Sequence, residues 1–411
     1  MAPYDLIGIN SSVGQQTRYF FKHALIQDTA YQSLLKSTRQ QYHQQIARIL
    51  EERFPDTKEH QPELLAHHYT EAHLIAQAIP YWQKAGQKAA QRSANLEAIG
   101  HLSKGLELLK TLLDTTERVQ QELMLQITLG APLIAAKGWA APETGKAFAR
   151  ARELCQQLGE APQLFPVLFG LFQFYLARAE HKRARELAEQ FFTLAQSVQD
   201  PDLLLEAHAA LGVILFHLGE LVPGREHLEQ GMARYDPQQH HSHAFLYGQD
   251  PGVTCLIFAA WSLWPLGYPD QALQRSQEAL ALAEEITHPF SQAFALFFAA
   301  ATHQFRREAQ ATHERAEATI TFGTDQGFPE WVALGTLFRA WALTEQGQEK
   351  EGIAQMGQGL AAHRAAGAEV SRTYYLGLLA QAYERVGQAE EGLKVVAEAL
   401  AFVSESEERY L

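Results

Sequence analysis

Residues Gly252–Ile286 read GVTCLIFAAWSLWPLGYPDQALQRSQEALALAEEI, and the fold can be inferred from this segment. Apolar side chains recur at helical spacing up to Trp264, where Pro265 and Gly267 break the pattern. Pro269 is suited to open a second helix, because the first helical turn does not need its missing N–H. The second half carries small residues at three- and four-residue steps. The stretch predicts a helix pair whose apolar face needs a neighbouring pair on either side.

The same unit recurs along the chain with a period close to 40 residues. The turns Gly347-Gln348 and Gly387-Gln388 lie 40 residues apart, and each is followed by an acidic helix start. A period near 40 made of paired helices is typical of an α-solenoid. We therefore predict an all-α, right-handed solenoid of tetratricopeptide-like helix pairs, interrupted by a longer connection at 236–251.

Composition and charge narrow the possible functions. The chain has 411 residues, a formal net charge of −13 and two cysteines. This charge argues against a general nucleic-acid surface, which needs clustered Lys and Arg. We expect Cys155 and Cys255 to be buried free thiols, which fits a reducing cytoplasm. We find no signal peptide, and the most apolar stretch is too short to span a bilayer, so we expect a cytoplasmic protein without a membrane partner.

Three segments are predicted along the chain. Residues 1–16 carry no periodicity and are expected to be disordered. Residues 17–78 begin with a short strand at Arg18–His23 and continue as helices. Residues 79–411 form the repeat array.

Several strings resemble one known family. They are FFKHALIQDTAYQSLL at 20–35, QPELLAHHY at 61–69, AIPYW at 78–82 and SANLEAI at 93–99. The first resembles the wing strand and helix that close a winged-helix segment, and the last two resemble a first tetratricopeptide-like repeat. As a set they are similar to the C-terminal part of bacterial multidomain adenylate/guanylate cyclases and predicted signalling ATPases of the STAND or AAA type.

The resemblance implies an array that accompanies nucleotide chemistry without performing it. The chain contains no G-x-x-x-x-G-K-[ST] loop to hold phosphates, and Gly145-Lys146-Ala147 lacks both the leading glycine and the hydroxyl. We find no segment for the metal-binding carboxylates of a cyclase. We therefore expect no enzyme activity and no cofactor.

The sequence was searched for two other kinds of site, a metal site and a hydrolase active site. His240-His241-Ser242-His243, with Asp250 nearby, is the densest histidine cluster. A metal site there is conceivable, but the ligand spacing is not that of a known site, and we interpret the segment as a solvated polar loop. The sequence contains no Gly-x-Ser-x-Gly motif, which would indicate a hydrolase. We predict no catalytic residues and no metal ligands.

Binding residues are expected on the first helix of each pair, which lines the concave side of such arrays. Aromatic and guanidinium groups anchor interfaces because they combine contact area with specific hydrogen bonds. The candidates for groove binding are Trp261, Trp331, Arg339, Arg372 and Tyr375. Trp331 also continues an apolar stripe, so a core role for it stays open.

The favoured function is a regulatory repeat arm of a signalling ATPase or cyclase system. It would bind a partner protein, a peptide or a small effector in its groove, and the partner could be a separately encoded ATPase or cyclase subunit. One alternative is the inducer-sensing arm of a transcriptional activator of the maltose-regulator type, although no DNA-binding helix-turn-helix is found after the array. Another is a metal-dependent enzyme using the histidine loop at 240–243.

Overall fold

The protein is described by a computed structural model, which covers residues 7–10, 18–21, 24–159 and 162–410. The chain forms two compact units. The first comprises Met1–Ala85 with Ser103–Leu113, and the second comprises Gly86–Leu102 with Asp114–Leu411. The sequence pattern divides the chain at residue 79, whereas the contacts place 79–85 with the first unit.

The first unit starts with a β-hairpin. Strands β1 (Ile7–Asn10) and β2 (Arg18–Phe21) pair antiparallel, with Ile7 opposite Phe21. The strand predicted at Arg18 is therefore present, although Lys22 and His23 lie outside the described residues. Within residues 1–16, for which the sequence predicts disorder, Ile7–Asn10 is assigned to β1 through its backbone pairing with β2. The rest of residues 1–16 lies outside the described residues.

Helices follow the hairpin. They are α1 (Ala24–Ser33), α2 (Lys36–Arg53), α3 (Pro55–His60), α4 (Pro62–Glu71), α5 (Ile75–Gln91) and α6 (Asn95–Leu109). The core of the first unit is small and includes Ala47, Leu65 and Tyr69. The Tyr69 hydroxyl donates to the Glu51 carboxylate at 2.5 Å, and the Tyr81 hydroxyl donates to the same group. These two hydrogen bonds lower the pKa of Glu51.

The second unit is a run of helix pairs. They are α7 (Thr116–Lys137), α8 (Pro142–Leu158), α9 (Leu164–Ala177), α10 (His181–Val198), α11 (Pro201–His217), α12 (Leu221–Met232), α13 (Pro237–His240), α14 (His243–Tyr247), α15 (Pro251–Leu263), α16 (Pro269–Ile286), α17 (Pro289–Phe305), α18 (Ala309–Gln326), α19 (Pro329–Glu345), α20 (Glu349–Ala365), α21 (Arg372–Arg385) and α22 (Ala389–Ser406). The predicted α-solenoid of tetratricopeptide-like pairs is confirmed. Both cysteines are buried, as expected, and neither forms a disulfide.

From α9 onward, the turns inside the pairs share one backbone motif. Each has a residue in the left-handed region, and these residues are 179, 219, 267, 307, 347 and 387. The next N–H donates back to the carbonyl five residues earlier, as Gln348 does to Leu343 at 2.9 Å. This pattern is the Schellman motif, which satisfies the last carbonyls of a helix. The repeat spacing is therefore 40 residues throughout, except for 48 between residues 219 and 267.

The eight additional residues belong to the connection that holds α13 and α14. His240 Nε2 donates to Asp202 Oδ1 at 3.1 Å, and His243 Nδ1 donates to Glu206 Oε1 at 2.8 Å. Asp202 and Glu206 both lie on α11, one helical turn apart. The insertion is therefore fixed against the array rather than projecting from it.

The second unit curls until distant parts of the chain meet. The N–H groups of Glu369 and Val370 donate to the carbonyl of Ala177 at 2.8 and 3.1 Å. Residues 406–410 then lie along α10 and α11, where Arg409 N–H donates to His217 O at 2.9 Å. The array closes on itself, and this closure encloses the site described next.

Candidate functional site

A cavity lies at the centre of the second unit, surrounded by the first helices of successive pairs. Helices α9, α11, α15, α17, α19 and α21 all contribute to its wall, together with Trp139 from the turn between α7 and α8. We call this space the central cavity. It is where the concave surface of the array has closed around itself.

The central cavity is small. The space between its wall atoms amounts to about 740 Å³, of which the centre of a water molecule can reach about 80 Å³. One water needs roughly 10–15 Å³ by the latter measure. The second value is the better guide to an occupant, because the first also counts space that is open to solvent. The cavity therefore fits several waters or one compact organic molecule.

Aromatic rings form a large part of the wall. Trp139 meets Trp331 edge to face with ring centroids 5.4 Å apart, and Trp331 lies 5.5 Å from Phe294. Trp261 lies 4.5 Å from Phe298, which continues the same surface. Rings at these separations attract one another and present either faces or edges to a ligand.

Eight buried polar atoms of the wall have no hydrogen-bond partner among the described residues. They are Nε1 of Trp139, Trp261 and Trp331, Nε2 of Gln173, Oε1 of Gln249, Oε2 of Glu330, and Nδ1 of His217 and His363. A buried polar group without a partner costs roughly 1–3 kcal/mol. Most such groups in folded proteins are satisfied, so a concentration around one cavity indicates a binding site.

Glu330 is the one acidic side chain among the described residues that line the cavity, and no Lys or Arg accompanies it there. It is the second residue of α19 and is 7% exposed. Burial raises its pKa to about 7, against a smaller lowering by the Trp139 backbone N–H. A carboxyl group in this state changes charge near neutral pH and can pair with a ligand cation.

The structure brings together three of the five residues predicted for groove binding. Trp261, Trp331 and Tyr375 all line the central cavity. Trp331 and Trp261 are also core residues, 1% and 2% exposed, so the two roles left open for Trp331 coincide.

The two predicted arginines lie elsewhere. Arg339 donates to Gln355 on α20 and Glu317 on α18, which are second helices of their pairs. Arg372 pairs with Glu369 and Glu398. Both guanidinium groups form ion pairs with acids on second helices, Arg339 with Glu317 and Arg372 with Glu398.

The interpretation of residues 240–243 as a solvated loop is wrong for His240 and His243, whereas His241 and Ser242 are exposed. His240 is 2% exposed, and its two ring nitrogens bond to Asp236 N–H and Asp202. Among the described residues, the histidines of this loop do not belong to a group of three or more ligand atoms that lie close enough together to hold a metal ion. Its histidines attach the connection to α11, which leaves the alternative of an enzyme at this loop without support.

Sequence reasoning missed Trp139, Gln173, Gln249 and Glu330. Glu330 follows Pro329 at a helix start, where an acid is expected for its favourable interaction with the helix dipole. Trp139 and Gln249 lie in connections, and no local pattern indicates that these connections face inward. Only closure of the array brings these side chains together.

Comparison with known proteins supports the fold. No family model matches the chain. An uncharacterized protein of Rhizobium meliloti (strain 1021) is 24% identical over 398 residues, which is 96% of this chain but 38% of the relative. The chain thus spans less than half the length of that curated relative.

Among solved structures, similarity extends to Rap proteins. The crystal structure of a Rap protein complexed with competence and sporulation factor aligns with a TM-score of 0.56 and 10% identity, covering 80% of this chain and 87% of the other. The apo form of RapI aligns with a TM-score of 0.50 and 14% identity, covering 70% and 97%. At these identities the likeness shows a shared tetratricopeptide-like fold. No helix in the described ranges combines the length and apolarity that crossing a membrane requires.

Proposed function

We propose that the chain is a non-catalytic sensor arm of a bacterial signalling ATPase or cyclase system, and that it binds a small effector in the central cavity. The observation that carries the proposal is the set of eight unpartnered polar atoms around an aromatic cavity of limited volume. A ligand with matching donors and acceptors would satisfy them, and its binding would stabilise the closed array.

The wall favours a small organic cation. Tryptophan and phenylalanine faces attract ammonium groups, and a desolvated contact of this kind is worth about 2 kcal/mol. Glu330 provides the counter-charge, and no cationic side chain competes for it among the described lining residues. The indole N–H groups of Trp139, Trp261 and Trp331 would bond to a hydroxyl or carbonyl on the same ligand. An anion would meet no partner of opposite charge.

Three features support the assignment to a signalling ATPase or cyclase system and to the cytoplasm. The β-hairpin followed by α1 is compatible with the wing of a winged helix over residues 17–78. A relative more than twice as long supports action within a larger system, whether in one polypeptide or with a separate ATPase or cyclase subunit. The reduced cysteines support a cytoplasmic location.

The proposal is tested with choline and its neutral isostere, in which carbon replaces the ammonium nitrogen. We expect choline to raise Tm and to change the fluorescence of the cavity tryptophans, whereas the isostere binds about 10-fold or more weakly. Glu330→Gln should remove most of this preference for the cation. Arg339→Gln is the matched control, because Arg339 lies on the same helix but outside the cavity.

A wider panel of amines, alcohols and carboxylates follows in the same assay. If no member changes Tm or tryptophan fluorescence, or if carboxylates bind in preference to amines, the effector proposal is wrong. If Arg339→Gln changes binding as much as Glu330→Gln does, the ligand does not occupy the central cavity.

A second candidate function is binding of a peptide or partner protein. It is favoured by the likeness to the Rap protein that was crystallised with competence and sporulation factor. A peptide exceeds the closed central cavity, so this function requires the contact between Ala177 and Val370 to open. A pull-down from native cell extract, followed by mass identification, distinguishes the candidates. Recovery of an ATPase or cyclase subunit would identify the partner.

A further inference from the structure

Three buried side chains from distant parts of the sequence meet beside the central cavity. His181 begins α10, His217 ends α11, and Glu408 belongs to the segment that follows α22. His181 Nε2 lies 4.0 Å from Glu408 Oε1, and His217 Nδ1 lies 3.8 Å from the same oxygen. The side chains of these residues are at most 3% exposed.

The His181 imidazole presents a lone pair toward the carboxylate. His181 Nδ1 donates to the carbonyl of Ser406 at 2.7 Å, so its proton is on Nδ1 and its Nε2 is a lone-pair donor. Neither His181 Nε2 nor His217 Nδ1 has a hydrogen-bond partner among the described residues. A histidine that ligates a metal commonly donates its other ring N–H to a backbone carbonyl, as His181 does.

The spacing suits a metal ion better than hydrogen bonds. A separation of 3.8–4.0 Å between donor and acceptor is too long for a hydrogen bond. Ligand atoms about 2.0–2.1 Å from a tetrahedral ion lie about 3.3–3.4 Å from one another. The three atoms, which all lie within 4.8 Å of one another, need to draw together by about half an ångström or more.

Two partly buried histidine pairs elsewhere in the chain differ in this respect. His208 and His227 join directly through their Nδ1 atoms at 2.9 Å, and so do His43 and His68 at 2.7 Å. Neither pair leaves room for an ion between its nitrogens. Among the described residues, His181, His217 and Glu408 form the one group of three such ligands close enough to hold a metal.

We propose that His181, His217 and Glu408 bind one divalent transition-metal ion of the Zn²⁺ type. Two imidazole nitrogens and a carboxylate oxygen are ligands that Zn²⁺ accepts, and three protein ligands leave a position for water or another ligand. The carboxylate is already oriented, because Ser371 N–H donates to Oε1 at 2.7 Å and the Thr373 hydroxyl donates to Oε2. The sequence pattern predicts no metal ligands, since 36 and 191 residues separate these three positions.

The ion would connect the segment 406–410 to α10 and α11. Tyr410 in this segment packs 4.6 Å from Phe216 and covers Trp261 of the cavity wall. Metal binding and closure of the array would therefore favour each other. The metal site does not require an effector in the central cavity. If both sites are occupied, His217 Nδ1 binds the metal, and the other seven unpartnered atoms of the cavity wall remain for the effector.

The test uses the full chain without an affinity tag, treated with chelator and titrated with Co²⁺ and then Zn²⁺. We expect one saturable Co²⁺ site per chain with visible ligand-field absorption, displaced by Zn²⁺. Glu408→Gln and His181→Gln should each weaken binding by more than about 100-fold. Thr373→Val, which removes only a hydrogen bond to the carboxylate, should weaken it by about 10–100-fold.

His227→Gln is the matched control, because it alters a buried histidine pair outside the proposed site. It should bind Co²⁺ as the wild type does. Circular dichroism of each chelated variant checks that the chain is folded, and Thr373→Val keeps the test decisive if a ligand variant does not fold. The proposal is overturned if no one-to-one site is found, or if Glu408→Gln and Thr373→Val bind with wild-type affinity.

Discussion

At the residue scale, Glu330 shows how the cavity differs from an ordinary core. It is enclosed by aromatic neighbours, and no basic side chain faces it among the described lining residues. An acid in such a place is held neutral by desolvation, which is why its pKa rises to about 7. Proteins seldom retain this arrangement for stability alone.

The pH dependence of stability should report this carboxyl group. Between pH 4.5, the ordinary pKa of a glutamic acid, and about pH 7, folded Glu330 holds a proton that the unfolded chain has released. Stability contributed by the protonated form is therefore present below pH 4.5 and is lost as pH rises toward 7. We expect Glu330→Gln to gain about 3 kcal/mol relative to the wild type between about pH 4 and pH 8.

Denaturant unfolding of both proteins at several pH values measures this difference. Glu345→Gln serves as the control, because Glu345 ends the same helix and pairs with Arg385 at the surface. A constant difference between Glu330→Gln and wild type across the pH range would show that Glu330 is not buried as described.

The sequence predicts aromatic cavity residues better than charged ones. Trp261, Trp331 and Tyr375 follow from their place on first helices, since the period fixes which face turns inward. Arg339 and Arg372 have the same placement, but long side chains reach partners on neighbouring helices. The periodic pattern gives the direction of a Cα–Cβ bond and not the position of a guanidinium several bonds away.

At the element scale, the turn motif explains why the fold is readable from the sequence. Gly219, Gly267, Gly347 and Gly387 each occupy the left-handed position, where glycine carries no steric cost. The period of 40 is therefore visible directly. Ala179 and Arg307 take the same conformation without glycine, so the sequence signal is weaker at those turns.

Replacing Arg307 by glycine should stabilise the protein. Its φ of 59° is unfavourable for a residue with a Cβ atom. Arg307→Gly removes that strain but increases the freedom of the unfolded chain, and we expect a net gain of about 0.5–1 kcal/mol. Thermal and denaturant unfolding measure the change.

Arg307→Ala separates backbone strain from loss of the arginine side chain. It keeps the Cβ atom, so its stability should stay within about 0.5 kcal/mol of the wild type. Equal stabilisation by alanine and glycine would mean that the backbone conformation at residue 307 is not the cause.

Boundaries between helices are less predictable than their existence. Residues 63–78 contain neither proline nor glycine, yet α4 ends at Glu71 and α5 begins at Ile75. His73 adopts φ of 57° at the break, without a glycine to indicate it. Pro80 then lies inside α5 rather than at its start. The presence of a proline in the sequence does not show whether it lies at the start of a helix or inside one.

At the scale of the whole molecule, closure changes how the array should unfold. In an open solenoid each repeat contacts only its neighbours, so disturbance at one end stays local. Here the residues after α22 contact α10 and α11, and His181 bonds to Ser406 across 225 positions of sequence. The second unit should therefore lose protection at sites far apart in sequence when this contact is removed.

Tyr410→Ala tests this coupling by hydrogen exchange. The ring is 4% exposed and packs against Phe216 and His217, so its removal should destabilise the closed state by about 3–5 kcal/mol. We expect faster exchange in α10 and α11 as well as in α22. Leu400→Ala is the control, because Leu400 is 64% exposed on α22.

If exchange increased only in α21 and α22, the array would behave as an open chain of repeats and the closure would be energetically unimportant. Leu400→Ala should leave exchange in α10 and α11 unchanged. Faster exchange there in the control would indicate general destabilisation instead of a specific contact.

The contact of Glu369 and Val370 with Ala177 also bears on synthesis of the chain. A ribosome produces residue 177 long before residue 370, and domains fold as they emerge. During that interval the aromatic wall contributed by α9, α11, α15 and α17 has formed but is not enclosed. A nascent chain of intermediate length thus exposes an apolar surface, and we expect chaperones to bind it. Translation that stops in this interval should yield fragments that aggregate, although most of their helices are complete.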